Sequence, residues 1–451
     1  MAQAQHLFIF VAIFLIAIVW HFVPHPLVVI VLACLPLGLM FVLSQTFWLV
    51  TLFVLFSFFR IHEAIPALYS LKIPLLLSMG ALFALLWHSM ISRKLTIYWH
   101  HSLTWLAVFW VLVILGIVFA SNIGMAIKSF KEIYWKIIVM TLAITWLVDS
   151  DKKLGHMSFL IVLSGLLIAS VALFNSVNGI GMVEGTRVTI GRDLGSMLGD
   201  PNDLSLVLMF PLAFSIGMAS TKGIKTPTRI LSLLVSVALM AAVIATQSRG
   251  GLLGSLAVFG IFAIKMIRSK ALLICLGLLA ATILFAAAGI SDRASGGAAE
   301  EGIDASAMGR LYAWEAAIGM AVDNPLTGVG LNNFYANYYF YSSHWDGLNH
   351  AVHSTWFGVL AETGILGLII FVCFIGSLIR TSRATLKALS SDKNYSPYLI
   401  ASANSVYAGL MGIIVSGTFL TQGFNWPIYI LAALTVAVAK LEQIHCQNEN
   451  Q

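Results

Sequence analysis

Unbroken apolar runs of membrane-spanning length recur from one end of this chain to the other. They lie at about 7–23, 26–43, 46–60, 73–91, 103–120, 133–148, 157–175, 203–219, 229–246, 251–267, 271–289, 354–379, 400–416 and 425–440. A bilayer core accommodates roughly 20 apolar residues per helix. The runs do not alternate, which excludes the inward-polar, outward-apolar pattern of a transmembrane β-barrel. Of 451 residues, 59% are hydrophobic and 10% charged, with a mean hydropathy of +0.93. An ordinary soluble domain is about 25% charged, so a soluble enzyme is excluded. The sequence predicts an all-α polytopic membrane protein of about 12–14 transmembrane helices. The range reflects the second and third runs, which little more than Ser44 and Gln45 separate and which include a possible re-entrant or half-length helix.

Lys and Arg number 25 against 19 acids, for a net charge of +6 and a pI near 9.1. In a membrane protein such an excess belongs to cytoplasmic loops, and no nucleic-acid partner is implied. Cys34, Cys275, Cys373 and Cys446 form no CxxC pair, so neither a zinc site nor a disulfide framework is expected. The segment Met1 to Val23 lacks flanking charge and a small-residue cleavage site and reads as a retained first helix.

Loop charges set the expected orientation. Lys222, Lys225 and Arg229 share one loop, Lys265, Arg268 and Lys270 a second, and Arg380, Arg383, Lys387 and Lys393 a third. The alternate segments hold only Arg249, Arg293 and Arg310. The first set is therefore expected inside, and counting back through fourteen spans puts the N-terminus, Arg93, Lys94, Lys152 and Lys153 inside too. Four segments follow: N-terminal transmembrane helices over 1–175, a transmembrane region with an external loop over 176–290, a large external loop over 291–353, and C-terminal helices with a short cytoplasmic tail over 354–451. The large loop has no lysine, two arginines and seven acids. Long polar loops carry function, so any chemistry is expected to face outward.

Three patterns there bear chemistry. Gln247-Ser-Arg249-Gly-Gly251 joins two apolar helices with an arginine at the bilayer boundary. It is either a tight turn whose glycines end a helix and whose arginine snorkels, or a cation held for an anionic ligand. Met308-Gly-Arg310-Leu-Tyr-Ala-Trp314 opens a helix with Leu311, Trp314, Ile318 and Ala321 on one face, stopped by Asn324-Pro325. Arg310 is expected at that helix's N-terminus, either solvated on the bilayer or binding a phosphate together with free amides. His353 opens the next span as an interfacial histidine or a general base. His344, Asp346, His350 and His353 offer a metal site as a further option, without an established ligand spacing. Asp200-Pro-Asn202 reads as an N-cap with proline at the first helical position. Arg60, His62, Glu63, Lys128 and Lys131 are also expected outside, as extra contacts or as ordinary interfacial charge.

In order, these pieces resemble the O-antigen ligase and Wzy-type polymerase superfamily of bacterial envelope glycosyltransferases. The resemblance rests on Ser248-Arg249-Gly250, on the stretch from Gly309-Arg310 through Pro325-Leu-Thr-Gly-Val-Gly330, and on His353 nine residues before Glu362-Thr-Gly364. It covers roughly 176–370. Ser354 departs from the Asn that many members carry there, which bears on that side chain alone. The resemblance implies a GT-C-like fold in a bacterial inner membrane, with the active site facing the periplasm on a large periplasmic loop. It implies no metal and no cofactor. The donor would be an undecaprenyl-diphosphate-linked glycan, and the acceptor lipid A-core or a second lipid-linked glycan. Arg249 and Arg310 would then stabilise the diphosphate and His353 would deprotonate the acceptor hydroxyl. Arg187, Arg192 and Glu362 would bind substrate.

Ligase and polymerase differ only in the acceptor; the ligase is favoured by the full Gly-Arg to His pattern in the external loop. A transporter of lipid-linked sugar is the reading from another class. Against it, charge gathers on one face rather than at the midplane, and no interrupted inverted repeat is apparent. A membrane protease lacks both HExxH and a serine nucleophile pattern.

Overall fold

The computed structural model describes residues 14, 17, 18, 21, 26–287, 305–390 and 395–449. The expected first span, 7–23, falls almost wholly outside the described residues, as do Arg293 and Lys393. The main α-helices are α1 (Pro26–Ser44), α2 (Thr46–Phe59), α3 (Ile73–Leu86), α4 (His101–Gly116), α5 (Ile123–Ser129), α6 (Trp135–Leu147), α7 (Asp151–Asn178) and α8 (Pro201–Ser220). They continue with α9 (Thr226–Ala245), α10 (Arg249–Met266), α11 (Lys270–Ala287), α12 (Ala305–Asp323), α13 (Phe334–Tyr341), α14 (Thr355–Leu389), α15 (Pro397–Gly417) and α16 (Trp426–Glu449).

The chain is an all-α multi-pass membrane protein. Among the described residues eight helices are long and apolar enough to cross a bilayer, or nine if a bent pair is one span. That pair is Cys34–Ser44 with Thr46–Phe59, turned by 77° at Gln45. The sequence expectation of a broken segment at Ser44-Gln45 thus has its counterpart. Two more apolar helices, His101–Gly116 and Lys270–Leu284, fall short of span length.

Two compact units divide the chain. In the first, comprising Met1–Phe53 and Leu75–Thr96, α3 ends in a π turn over Trp87–Ile91. There His88 Nε2 donates to the Leu43 carbonyl (2.8 Å), and its Nδ1 accepts from the Ser92 hydroxyl (2.7 Å).

The second unit is built around α8, whose side chains are buried along most of its length. Helices α7, α9, α10 and α15 surround it, while α14 packs among α4, α12, α15 and α16. Serine pairs cross the helix interfaces, Ser215 with Ser236 at 2.9 Å and Ser158 with Ser402 at 2.9 Å. Each hydroxyl thereby finds a partner where no water is at hand. Small residues set the closest approaches: a Cβ on Gly165 would lie 2.5 Å from the Pro211 ring of α8.

Helix α14 runs 35 residues but is not continuous. Gly364 interrupts it at φ 72°, ψ −175°, a region open essentially only to glycine. Into the break docks the turn that follows α12. Ile365 donates its amide to the Pro325 carbonyl (2.8 Å), Val329 to that of Ala361 (2.8 Å), and Gly330 to that of Glu362 (3.2 Å). The Pro-Leu-Thr-Gly-Val-Gly and Glu-x-Gly motifs are therefore the two halves of one joint.

Candidate functional site

Three helix N-termini converge at one end of the second unit. Asp200 caps α8, accepting from the amides of Asn202 (2.7 Å) and Asp203 (3.4 Å). Ser248 caps α10 through the Gly251 amide (3.3 Å), and Ser354 caps α14 through that of Phe357 (3.5 Å). Asn202 joins the first two, because its Oδ1 accepts from the Ser248 hydroxyl at 3.0 Å. The turn between α15 and α16 ties in the third. Thr355 Oγ1 donates to the Leu420 carbonyl (2.7 Å) and accepts from the Gln422 amide (3.0 Å). Each N-terminus carries about half a positive charge, so the cluster is pre-set for an anion.

Arg249 is the first residue of α10 and is half-buried. The glycines after it do not end a helix, contrary to the tight-turn reading. They stand in the first turn of α10, where a Cβ on Gly251 would lie 2.5 Å from Ser205 Cβ and one on Gly250 3.3 Å from Phe419 Cβ. Their absent side chains let α10 approach α8 and the 418–425 turn, which sets Arg249 at the convergence. Gln247 takes the reversal before it in a left-handed conformation at φ 51°.

Arg187 reaches the same place from the loop before α8 and is only 5% exposed. Its Nε donates to the Thr246 carbonyl (3.2 Å) and its Nη2 to Asn202 Oδ1 (3.0 Å), with Glu184 3.8 Å from Nη1. Its guanidinium thus staples the loop to the ends of α8 and α9. Arg192 is exposed on the same loop. That loop is anchored by Glu63, which pairs with Arg60 (2.9 Å) and accepts from the Ser196 hydroxyl (2.5 Å). The Arg60–Glu63 segment, left open by the sequence, is a structural tie.

Helix α12 is described from Ala305, so Arg310 lies more than one turn inside it rather than at its N-terminus. Phosphate contact through this helix's own free amides is therefore not available to Arg310. The buried face also differs from the expected one. Ala313, Ala316, Ala317 and Met320 are buried together with the expected Ala321, while Leu311 and Ile318 are 47% and 48% exposed. Trp314 does face inward: its ring stacks on Phe357 at 4.9 Å, and its Nε1 donates to the Val352 carbonyl at 3.1 Å. This bond fixes the peptide just before His353.

His353 holds φ at 44°, an uncommon conformation for a non-glycine residue. Its ring is largely desolvated, and this is the main cause that lowers its pKa below the usual value. The Arg310 guanidinium and His350 lower it further, while the Asp200 carboxylate opposes them. His353 therefore senses the charges of both Arg310 and Asp200. The imidazole is kept neutral at pH 7, the state a general base requires.

Glu362 lies at the joint. Its Oε2 accepts from the Asn332 amide (2.7 Å) and its Oε1 from that of Phe334 (3.5 Å). The carboxylate thus organises the turn before α13. The metal option finds no geometry: His350 Nε2 donates to Asp346 (3.0 Å), and His344 stacks on Tyr312 at 3.9 Å. Among the described residues no three His, Cys, Asp or Glu side chains are grouped to hold an ion.

Two participants escaped the sequence reading. Asn202 was read only as part of a helix start, yet its Oδ1 joins two helices and a buried arginine. The turn at 418–425 places Gln422 fully buried, with its amide 3.5 Å from Asp203 Oδ1. Its only signal was a polar Thr421-Gln422 pair between two apolar spans.

Residues 234–372 match the family model described as O-antigen ligase. The matched stretch holds the Ser248-Arg249-Gly250 element, Arg310, both halves of the Gly364 joint and His353, but not Arg187, Arg192, Asn202 or the 418–425 turn. It shows the resemblance to the O-antigen ligase and polymerase superfamily. No curated protein matches the chain.

Proposed function

Taking residues 234–372 as an O-antigen ligase domain, we propose that the protein transfers a glycan from undecaprenyl diphosphate to a sugar hydroxyl at the periplasmic face of a bacterial inner membrane. The acceptor is lipid A-core, the reaction inverts the anomeric carbon, and it runs without a metal. The observation that supports this reading is the convergence of three helix N-termini, with Arg249 at the start of α10, and a largely desolvated His353 before α14 that feels the charges of Arg310 and Asp200.

The chemistry follows from the charges. As the bond from the anomeric carbon to the diphosphate oxygen breaks, negative charge grows on the leaving group. Two guanidiniums and the helix ends stabilise it without reorganising. The acceptor oxygen attacks the opposite face, and its proton passes to a ring nitrogen of His353. The products are the glycosylated acceptor, undecaprenyl diphosphate and an imidazolium that returns its proton to solvent. Asn202 and Arg187 act by holding the start of α10, and Arg192, exposed on the same loop, remains available to the donor.

Envelope lipopolysaccharide and the lipid-linked pool from cells lacking the gene test the acceptor. Bare lipid A-core with long glycan accumulating on undecaprenyl diphosphate is the expected result. Lipid A-core capped by one repeat unit, without long lipid-linked glycan, would replace the ligase by a polymerase. Arg249→Ala, Arg310→Ala and His353→Ala should each reach the membrane and lose transfer, and wild-type turnover by purified His353→Ala would remove the base assignment.

A further inference from the structure

A concavity opens in the second unit where the 421–425 segment faces α5. It has a volume of about 610 Å³ and is bounded by α5, the π turn over Phe130–Tyr134, the Leu331-Asn332 turn, Glu362 and the 421–425 segment. Ligand cavities typically measure about 300–1,000 Å³ and carry a few convergent polar groups. Here those groups are neutral amides, hydroxyls and mixed charge. Asn122, Asn332 and Asn425 offer both donors and acceptors, Lys128 one ammonium, and Glu132 and Glu362 two carboxylates, with Phe424 as an apolar wall. The exposed Glu132 carboxylate offsets the Lys128 ammonium, which disfavours a phosphate. Donors and acceptors interleaved beside an aromatic ring match the hydroxyls and apolar face of a sugar.

Two features mark the lining as shaped for use. Asn332 is held at φ 57°, and the backbone bond that Glu362 accepts from it fixes this conformation. Glu132 and Tyr134 are presented by a π turn, a distortion frequent at functional sites. The cavity also stands in register with the proposed chemistry. Thr421 lines it and adjoins Gly358, on the first turn of the helix that Ser354 caps beside His353. Eight residues of helix, about 12 Å at 1.5 Å per residue, separate Ser354 from Glu362, a length that a short oligosaccharide bridges.

We propose that this cavity is a saccharide subsite that binds the hydroxyls of the acceptor glycan and so presents the reacting hydroxyl to His353. The inference rests on the transferase reading and names its acceptor side. A site built on hydrogen bonds to hydroxyls discriminates strongly against sugars that lack them.

The test uses the full-length protein in detergent. The probes are core oligosaccharide freed of lipid A and delipidated repeat unit, each observed by saturation-transfer NMR. A cavity-filling variant, Gly124→Leu, is sterically permitted, because a Cβ there meets only Asn122 Oδ1 at 3.4 Å. Glu132→Gln, on an exposed side chain, is a second variant that keeps the shape. Core oligosaccharide should bind the wild type and lose at least tenfold in affinity in Gly124→Leu and fivefold in Glu132→Gln. In transfer assays the acceptor KM should rise by the same factors, and the donor KM should move less than twofold. Losses confined to the repeat-unit probe and the donor KM would overturn the acceptor assignment. Unaltered binding of both sugars in both variants would overturn the subsite altogether. A wild type that binds the oligosaccharide but transfers nothing would sink the transferase reading and leave the subsite standing.

Discussion

Asn202 is where the structure makes its most demanding prediction. Its Oδ1 accepts from Arg187 Nη2 and from the Ser248 hydroxyl, both at 3.0 Å. Arg187 is 5% exposed and Ser248 fully buried, so no water replaces the lost acceptor in Asn202→Ala. A hydrogen bond to a charged group contributes about 1.5–3 kcal/mol, and a buried unsatisfied hydroxyl costs about 1–3 kcal/mol. Arg187 retains the Thr246 carbonyl at 3.2 Å, and Ser248 is free to rotate toward a weaker partner. The expected destabilisation is therefore about 2–4 kcal/mol, read by titrating SDS into detergent-solubilised protein and following tryptophan fluorescence. Loss of the strap also frees the residue next to Arg249, and misplacement by about 1 Å costs on the order of 10²-fold in rate. Asn202→Asp keeps both acceptor positions and should stay within about 1 kcal/mol of wild type. In a double-mutant cycle, Asn202→Ala and Ser248→Ala should couple by at least about 1 kcal/mol. Strict additivity, or an Asn202→Ala variant as stable as wild type, would refute the strap.

Three further outcomes follow. His353 has its pKa lowered, chiefly by burial, so transfer should hold level through neutral pH and fall only on acidification below the usual histidine value. Asp200 opposes that lowering, so Asp200→Asn, which preserves the cap, should move the acid limb of kcat/KM to still lower pH; movement upward would contradict the charge arrangement. Gly364→Ala combines a glycine-only conformation with a Cβ 2.5 Å from the Pro325 carbonyl oxygen. It should cost about 3–5 kcal/mol by the same SDS titration, and a loss under about 1 kcal/mol would mean that α14 straightens freely. Trp314→Phe keeps the stack on Phe357 but removes the bond to the Val352 carbonyl. At about 1 kcal/mol it should lower kcat roughly fivefold with little change in donor KM, and an unchanged kcat would release Trp314 from positioning His353.

The sequence made the helices legible because hydropathy is a property of each segment alone. The runs at 203–219, 229–246 and 400–416 correspond to Pro201–Ser220, Thr226–Ala245 and Pro397–Gly417. The face of α12 was misread for a physical reason. Leu311 and Ile318 are large and apolar yet half exposed, so size and hydropathy do not mark the inner face of this helix. The alanines do, since they allow close approach to α14. Arg249, Arg310 and His353 were legible as residues because charge is rare in such a chain. The convergence of the α8, α10 and α14 N-termini was not, since it joins segments far apart in sequence. Asn202 and Gln422 were hidden for the opposite reason: an amide in a short loop looks the same whether it meets water or a buried arginine.

The interruption at Gly364 has a mechanical consequence. Below it, the 25 residues to Leu389 are some 37 Å of helix at 1.5 Å per residue, of which the last ten carry Arg380, Arg383 and Lys387. The 325–330 turn clamps both sides of the break: Val329 and Gly330 donate to Ala361 and Glu362 above it, and Ile365 and Leu366 below it donate to the Pro325 carbonyl. The break is therefore splinted rather than loose, and a displacement of the lower segment passes through the turn to the segment beside His353.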